Sequence, residues 1–254
     1  CVVAESDLWP SVRVRRWRAL GTIALMADQS MIPVIAVDGP SGVGKGMVVR
    51  GLARQLGWRR LDSGALYRIL ALAAVDAGVD LADIEAVAAL APQLSISFEG
   101  DSEESESILV NGVEKVAEVR SEATGGLASQ IATAEPVREA LLQRQRDFRQ
   151  RPGLIADGRD MGTVVFPDAR LKLFLTASPM ERAKRRAKQL STRGQVVRLA
   201  DLIEEIRARD ERDRTRSLAP MVPAADAIEI DTSSLSPSQV FERIEKLLKT
   251  RGCS

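Results

Sequence analysis

The sequence predicts an α/β fold built on a five-stranded, mostly parallel sheet, and three observations carry that expectation. Val34-Ile35-Ala36-Val37 is an apolar, largely β-branched run; a glycine-rich turn leads from it into a segment with Val48, Leu52 and Leu56 on one helical face. Further short strands are expected to start near Trp58, Leu154, Leu171 and Ala227. Between them, Leu94-Ser95-Ile96-Ser97-Phe98 alternates apolar and polar, and Asn111-Gly112 lies between Leu109-Val110 and Val113. That is a hairpin signal, so a small antiparallel sheet interrupts the α/β pattern.

The turn after the first run is Gly39-Pro40-Ser41-Gly42-Val43-Gly44-Lys45-Gly46-Met47. Its glycines can take backbone angles that a β-carbon forbids, which lets successive N–H groups turn inward around an anion. The helix N-terminus adds partial positive charge and Lys45 a full one. Strand, loop, lysine and helix together predict a P-loop NTPase core that holds the phosphates of a nucleoside triphosphate, and we assign residues 39–47 to ATP. Many such loops place Ser or Thr directly after the lysine; here Gly46 stands there, and Gly-Lys-Gly resembles the nucleoside monophosphate kinases. That family continues with Thr or Ser, where this chain has Met47 and so lacks a hydroxyl near the phosphates.

The chain has 254 residues, 45% hydrophobic and 28% charged, which suits one α/β domain with a small insertion. A net charge of +1 gives a nucleic-acid or anionic-membrane partner no global electrostatic support. There is no histidine, which excludes His-based acid–base chemistry and His metal ligands. Cys1 and Cys253 are the only cysteines, so neither a disulfide framework nor a zinc site follows, and a reducing cytoplasm is the simplest setting. No apolar run is long enough to span a membrane. Residues 1–30 differ from the rest: Arg13, Arg15, Arg16 and Arg18 cluster around Trp17 ahead of a short apolar piece, Ile23 to Ala27. As a signal peptide this is poor, because the basic part lies late and the apolar part is short. A basic surface tail is a second reading. We expect a disordered upstream extension, with translation starting at Met26 or Met31.

Gly57 marks the end of the first helix, and Asp62-Ser63-Gly64-Ala65-Leu66-Tyr67-Arg68 opens a second that runs to about Gly78. At the C-terminal edge of a parallel sheet that turn faces the phosphate loop, which aims Ser63, Tyr67 and Arg68 at a second substrate. Taken alone, Ser63 reads as a helix cap and Arg68 as a solvated charge. Asp101 to Ser107 reads as a solvated acidic turn, and Ser121–Ala134 and Pro136–Gln150 as helices. Asp157 ends the third apolar run, where an acid could hold a magnesium-bound water. Ser178-Pro179-Met180-Glu181 has the form of a capping box, followed by a helix with Arg182, Lys184, Arg185, Arg186 and Lys188. Ser191 to Val197 is a glycine-containing loop, taken as a lid over ATP. Arg209, Asp213 and Arg216 are spaced i, i+4, i+7 and are expected on one helical face. Alone that pattern fits a solvated helix laced with ion pairs, but arginines are what two mutually repelling phosphates require.

Several motifs in order resemble the bacterial cytidylate kinases: Leu61 to Arg68, Ala128-Ser129-Gln130, Val137 to Leu142, Gly158-Arg159-Asp160-Met161-Gly162-Thr163-Val164-Val165-Phe166-Pro167, and Arg209-Asp210-Glu211-Arg212-Asp213. The likeness covers Ile32 to about Leu248. It implies transfer of the γ-phosphoryl of ATP, with Mg2+, to CMP or dCMP. It implies a monophosphate-binding insertion over 62–151, a core over 31–61 and 152–250, and a short lid over 189–199. The implied CMP-binding residues are Ser63, Tyr67, Arg68, Ser129, Arg138, Arg159, Asp160, Arg209, Asp213 and Arg216. Of these, Ser129, Arg138 and Asp160 read the base, and Arg209 and Asp213 lie near the ribose. Lys45, Arg159, Arg209 and Arg216 are the expected catalytic residues. A cytoplasmic monomer without a nucleic-acid or membrane partner is expected. Another small-acceptor kinase, of UMP or shikimate type, and a nucleotide-binding regulator with weakened catalysis remain the alternatives at this point.

Overall fold

The computed structural model describes residues 31–99, 107–192, 194 and 196–250. The expected extension over 1–30 and the acidic stretch up to Glu106 lie outside the described residues; Ser107 belongs to a strand rather than to a turn.

Five strands form the main sheet: β1 (Val34–Asp38), β2 (Arg59–Asp62), β6 (Leu154–Gly158), β7 (Leu171–Thr176) and β8 (Ile228–Asp231). Their order is β2-β6-β1-β7-β8, and every pairing is parallel. All of β1 is buried, as a central strand covered on both faces must be. Its residues alternate between two cores. Val34 and Ala36 join one apolar cluster, with Leu61, Leu66 and Leu154; Ile35 and Val37 join another, with Val48, Leu52, Val240 and Ile244.

The second cluster is closed by α1 (Lys45–Leu56) and the last helix, α9 (Pro237–Thr250). These helices meet closely because Gly51 has no side chain: a β-carbon there would lie 1.8 Å from the Phe241 ring. The first cluster runs without a break from the sheet into the segment between β2 and β6. That segment holds α2 (Ser63–Asp76), α3 (Ile84–Leu90), a small antiparallel sheet, α4 (Val116–Val119), α5 (Glu122–Ile131) and α6 (Glu135–Arg146). The small sheet is β3 (Ile96–Glu99), β4 (Ser107–Val110) and β5 (Val113–Glu114), in that order. Asn111 and Gly112, both at positive φ, make its tight turn.

On the far side, α7 (Pro179–Thr192) packs against α8 (Leu199–Thr215) around Ala183, Leu190 and Leu202. The helix of α7 continues through Thr192, so the expected loop starting at Ser191 is shorter, and residues 193 and 195 within it lie outside the described residues. The capping box is half formed. Glu181 N donates to Ser178 Oγ at 3.2 Å, but Ser178 N donates to Ser233 Oγ and the Glu181 carboxylate turns to Lys184.

Candidate active site

Parallel register brings three carboxylates to the C-terminal edge of the sheet: Asp62 stands opposite Asp157, Asp157 opposite Val37, and Asp38 follows Val37. The phosphate loop leaves β1 at this edge. Gly39 has φ +137°, and a β-carbon on it would sit 2.1 Å from the Leu175 carbonyl oxygen, so only glycine fits. Gly44, also at positive φ, caps the N-terminus of α1. Lys45 folds back, donating Nζ–H to the Pro40 carbonyl at 2.9 Å, and lies 3.7 Å from Asp157 Oδ1. Burial, with Arg159 next in weight, pulls the Lys45 ammonium down to about 8; burial pushes Asp157 up to about 6 against the pull of Lys45.

The outer side of the loop is held from α7 and β8. Arg182 donates to the Ser41 carbonyl at 3.2 Å and grips Asp210 of α8 with both terminal nitrogens, one at 2.9 Å. Arg185 reaches the Gly42 and Val43 carbonyls, and Thr232 Oγ1 donates to Val43 O at 3.1 Å. These braces were not legible as such in the sequence; the signal available was the i, i+3 spacing of Arg182 and Arg185 on one helix face. Met47, by contrast, is half-buried and packs against the apolar cluster of Val48 and Val240.

Beside the loop lies a cavity whose lining includes Ser63, Tyr67, Arg68, Ser129, Arg138, Arg159, Asp160, Arg209, Asp213 and Arg216, every residue that the sequence comparison nominated for the acceptor. It presents five arginines against two carboxylates. Arg159 Nε donates to Asp213 Oδ2 at 3.0 Å; Arg138 is ion-paired with Asp160, and Arg216 Nη2 lies 3.8 Å from Asp160 Oδ2. Arg68 donates to the Val119 and Ser121 carbonyls at 2.9 and 2.7 Å. Burial opposes the charge on Arg159, yet Asp213 and Asp157 outweigh it and raise its pKa. Burial, followed by the neighbouring Arg159, lowers Arg209 to about 10. The buried atoms Ser129 Oγ, Arg209 Nε and Arg216 Nη2 have no hydrogen-bond partner, and all three residues line this cavity. Unpartnered buried polar atoms with an excess of positive charge are the signature of a site shaped for an anionic ligand.

One local expectation needs correcting. Asp62, not Ser63, caps α2: its extended backbone lets the carboxylate accept from Ala65 N at 2.9 Å, while Ser63 Oγ turns to Gln145. Burial alone would raise Asp62, but Arg120, donating to it at 2.7 Å, helps hold it below its ordinary value. Arg209, Asp213 and Arg216 line one side of the cavity, as their spacing predicts: α8 ends at Thr215, but Arg216 keeps a helical φ of −59° and its N–H still donates to the Arg212 carbonyl at 3.2 Å, so it continues the helical path before the chain turns away.

Asp38 supplies a further contact that no local pattern announces. Its two carboxylate oxygens accept from Met161 N and Gly162 N, each at 2.8 Å, which ties the turn carrying Arg159 and Asp160 to the start of the phosphate loop. Burial pushes Asp38 up to about 6 against the lowering effect of those two N–H groups.

A phosphate loop on a parallel sheet, facing an arginine-lined second cavity, defines a P-loop phosphotransferase that brings a nucleoside triphosphate to an anionic acceptor. The cytidylate kinase family model matches residues 35–250. A cytidylate kinase of Pseudomonas entomophila (strain L48) is 56% identical over 223 residues, covering 87% of this chain and 98% of that protein. One of Pseudomonas aeruginosa (strain UCBPP-PA14) is 54% identical over 222 residues, covering 87% and 97%. The chain belongs to the cytidylate kinase family.

Proposed function

We propose that this chain transfers the γ-phosphoryl group of ATP to CMP or dCMP, giving ADP and CDP or dCDP. The observation that carries the reading is the set of unpartnered buried atoms, Ser129 Oγ, Arg209 Nε and Arg216 Nη2, in an arginine-rich cavity beside the phosphate loop. In this reading residues 39–47 cradle ATP, with Lys45 on its phosphates. Arg68, Arg159, Arg209 and Arg216 neutralise the acceptor phosphate and the charge on the phosphoryl group in transit. Asp160 is oriented by Arg138 and accepts from the exocyclic amine of cytosine, while Ser129 meets the ring. Catalysis is positioning and charge neutralisation, and the ionised acceptor phosphate needs no general base.

The magnesium ion that accompanies ATP fits the residues present. Asp157 is a half-buried carboxylate at the phosphate loop, 3.7 Å from Lys45 Nζ, and would hold the ion through water; the chemistry the ion would supply there is neutralisation of the phosphate charge. The segment over 189–199 serves as the lid and 62–151 as the acceptor-binding part. The protein acts in the cytoplasm as a monomer, and no described helix is long and apolar enough to cross a membrane.

A coupled assay of ADP release against CMP, dCMP, UMP, AMP and shikimate tests this. CMP and dCMP should exceed the others by at least about tenfold in kcat/KM, ~1.4 kcal/mol of discrimination. Equal rates with UMP, or preference for shikimate, would overturn it.

A further inference from the structure

Behind the acceptor cavity stands a buried glutamine. Gln145 lies in the last turn of α6, 2% exposed, and is not part of the cavity lining. Ser63 Oγ donates to its Oε1 at 2.7 Å across 82 residues of sequence, and its Nε2 donates to the Leu141 carbonyl at 3.3 Å. A backbone carbonyl only accepts, so the nitrogen faces Leu141 and the oxygen faces Ser63. Ser63 therefore spends its single proton on Gln145 and turns lone pairs to the cavity. Ser63 belongs to the lining of that cavity.

We propose that Gln145 is a positioning residue for the acceptor nucleotide: it sets Ser63 as a hydrogen-bond acceptor towards the cavity and holds it in place from α6. The proposal rests on the assignment of this cavity to CMP. Its physical force is that Ser63 is 4% exposed, so water cannot replace a lost partner without cost.

Steady-state kinetics of Gln145→Met, Gln145→Glu, Ser63→Ala and Tyr67→Phe test it. Methionine keeps the length and loses the hydrogen bonds; glutamate keeps an oxygen for Ser63 but loses the donor to the Leu141 carbonyl. Gln145→Met should raise the KM for CMP about tenfold, with the KM for ATP within about twofold. Gln145→Glu should fall between it and the wild type. Adding Ser63→Ala to Gln145→Met should cost no more than about twofold beyond the weaker-binding single variant, because one interaction cannot be lost twice. If Gln145→Met does not fold, the rise in KM for CMP alone is read from Gln145→Glu. Gln145 variants that move both Michaelis constants together, or neither, while Ser63→Ala raises that for CMP, overturn the positioning role. If Ser63→Ala and Tyr67→Phe also leave the KM for CMP unchanged, the cavity assignment falls and the proposal with it.

Discussion

Lys45 Nζ lies 3.7 Å from Asp157 Oδ1, with the lysine side chain 7% and the aspartate 17% exposed. The pair joins the first residue of α1 to the end of β6, and each partner resists its own charge: burial pulls the lysine down to about 8 and pushes the acid up to about 6. Between those values both are ionised, and the ammonium is poised for a stronger anion than one carboxylate.

That poise gives a pH signature. In the free protein Lys45 loses its proton as pH rises through about 8. Bound triphosphate favours the charged form and raises that value, so ATP binding takes up protons above about pH 8. We expect kcat/KM for ATP to fall above pH 8 while kcat at saturating ATP stays flatter. Calorimetry in buffers of different ionisation enthalpy should register the proton uptake; binding without it at pH 8.5 would contradict this. Lys45→Ala should lower kcat by at least about 1000-fold with the fold retained by circular dichroism.

Arg182 and Asp210 tie α7 to α8 and to the Ser41 carbonyl. The arginine is 2% exposed, so removing its partner strands a buried charge. Asp210→Ala is expected to cost about 3–5 kcal/mol of stability in chemical denaturation. Arg182→Lys cannot fork across both oxygens and should raise the KM for ATP by about threefold or more. Unchanged ATP affinity in Arg182→Lys would show that the loop keeps its shape without this brace.

Asp160 is 5% exposed and ion-paired with Arg138. Asp160→Asn can present an amide donor, which suits the carbonyl of uracil. The CMP-over-UMP ratio in kcat/KM should fall at least about tenfold, ~1.4 kcal/mol. Arg138→Ala should raise the KM for CMP more than that for ATP. A wild-type CMP/UMP ratio in Asp160→Asn would move base recognition elsewhere.

Met47 packs against an apolar cluster, at the position where the resemblance implies Thr or Ser. Met47→Thr should give equal or faster turnover, with ATP affinity changed by at most about threefold. The lost packing of a half-buried side chain should cost about 1 kcal/mol, seen as a lower Tm. A large loss of turnover would mean that the methionine is adapted to this pocket.

The sequence by itself determined the parts whose cause is local. Alternating or continuous apolar runs marked the five parallel strands, Asn111-Gly112 marked the hairpin, and glycine spacing before Lys45 marked the phosphate loop. The acceptor residues were legible only through resemblance, because Ser63, Ser129, Arg138 and Arg216 lie far apart in the chain and share no periodic pattern. Tertiary structure alone decided which charges meet. Asp38 accepts from Met161 N across 123 residues, Arg182 reaches Ser41 O across 141, and Ser63 finds Gln145 across 82. It also decided that Asp62 rather than Ser63 caps α2. The physical reason is one of range. Helix, strand and turn preferences act over a few residues, whereas burial and ion pairing depend on which distant segments the sheet order places side by side.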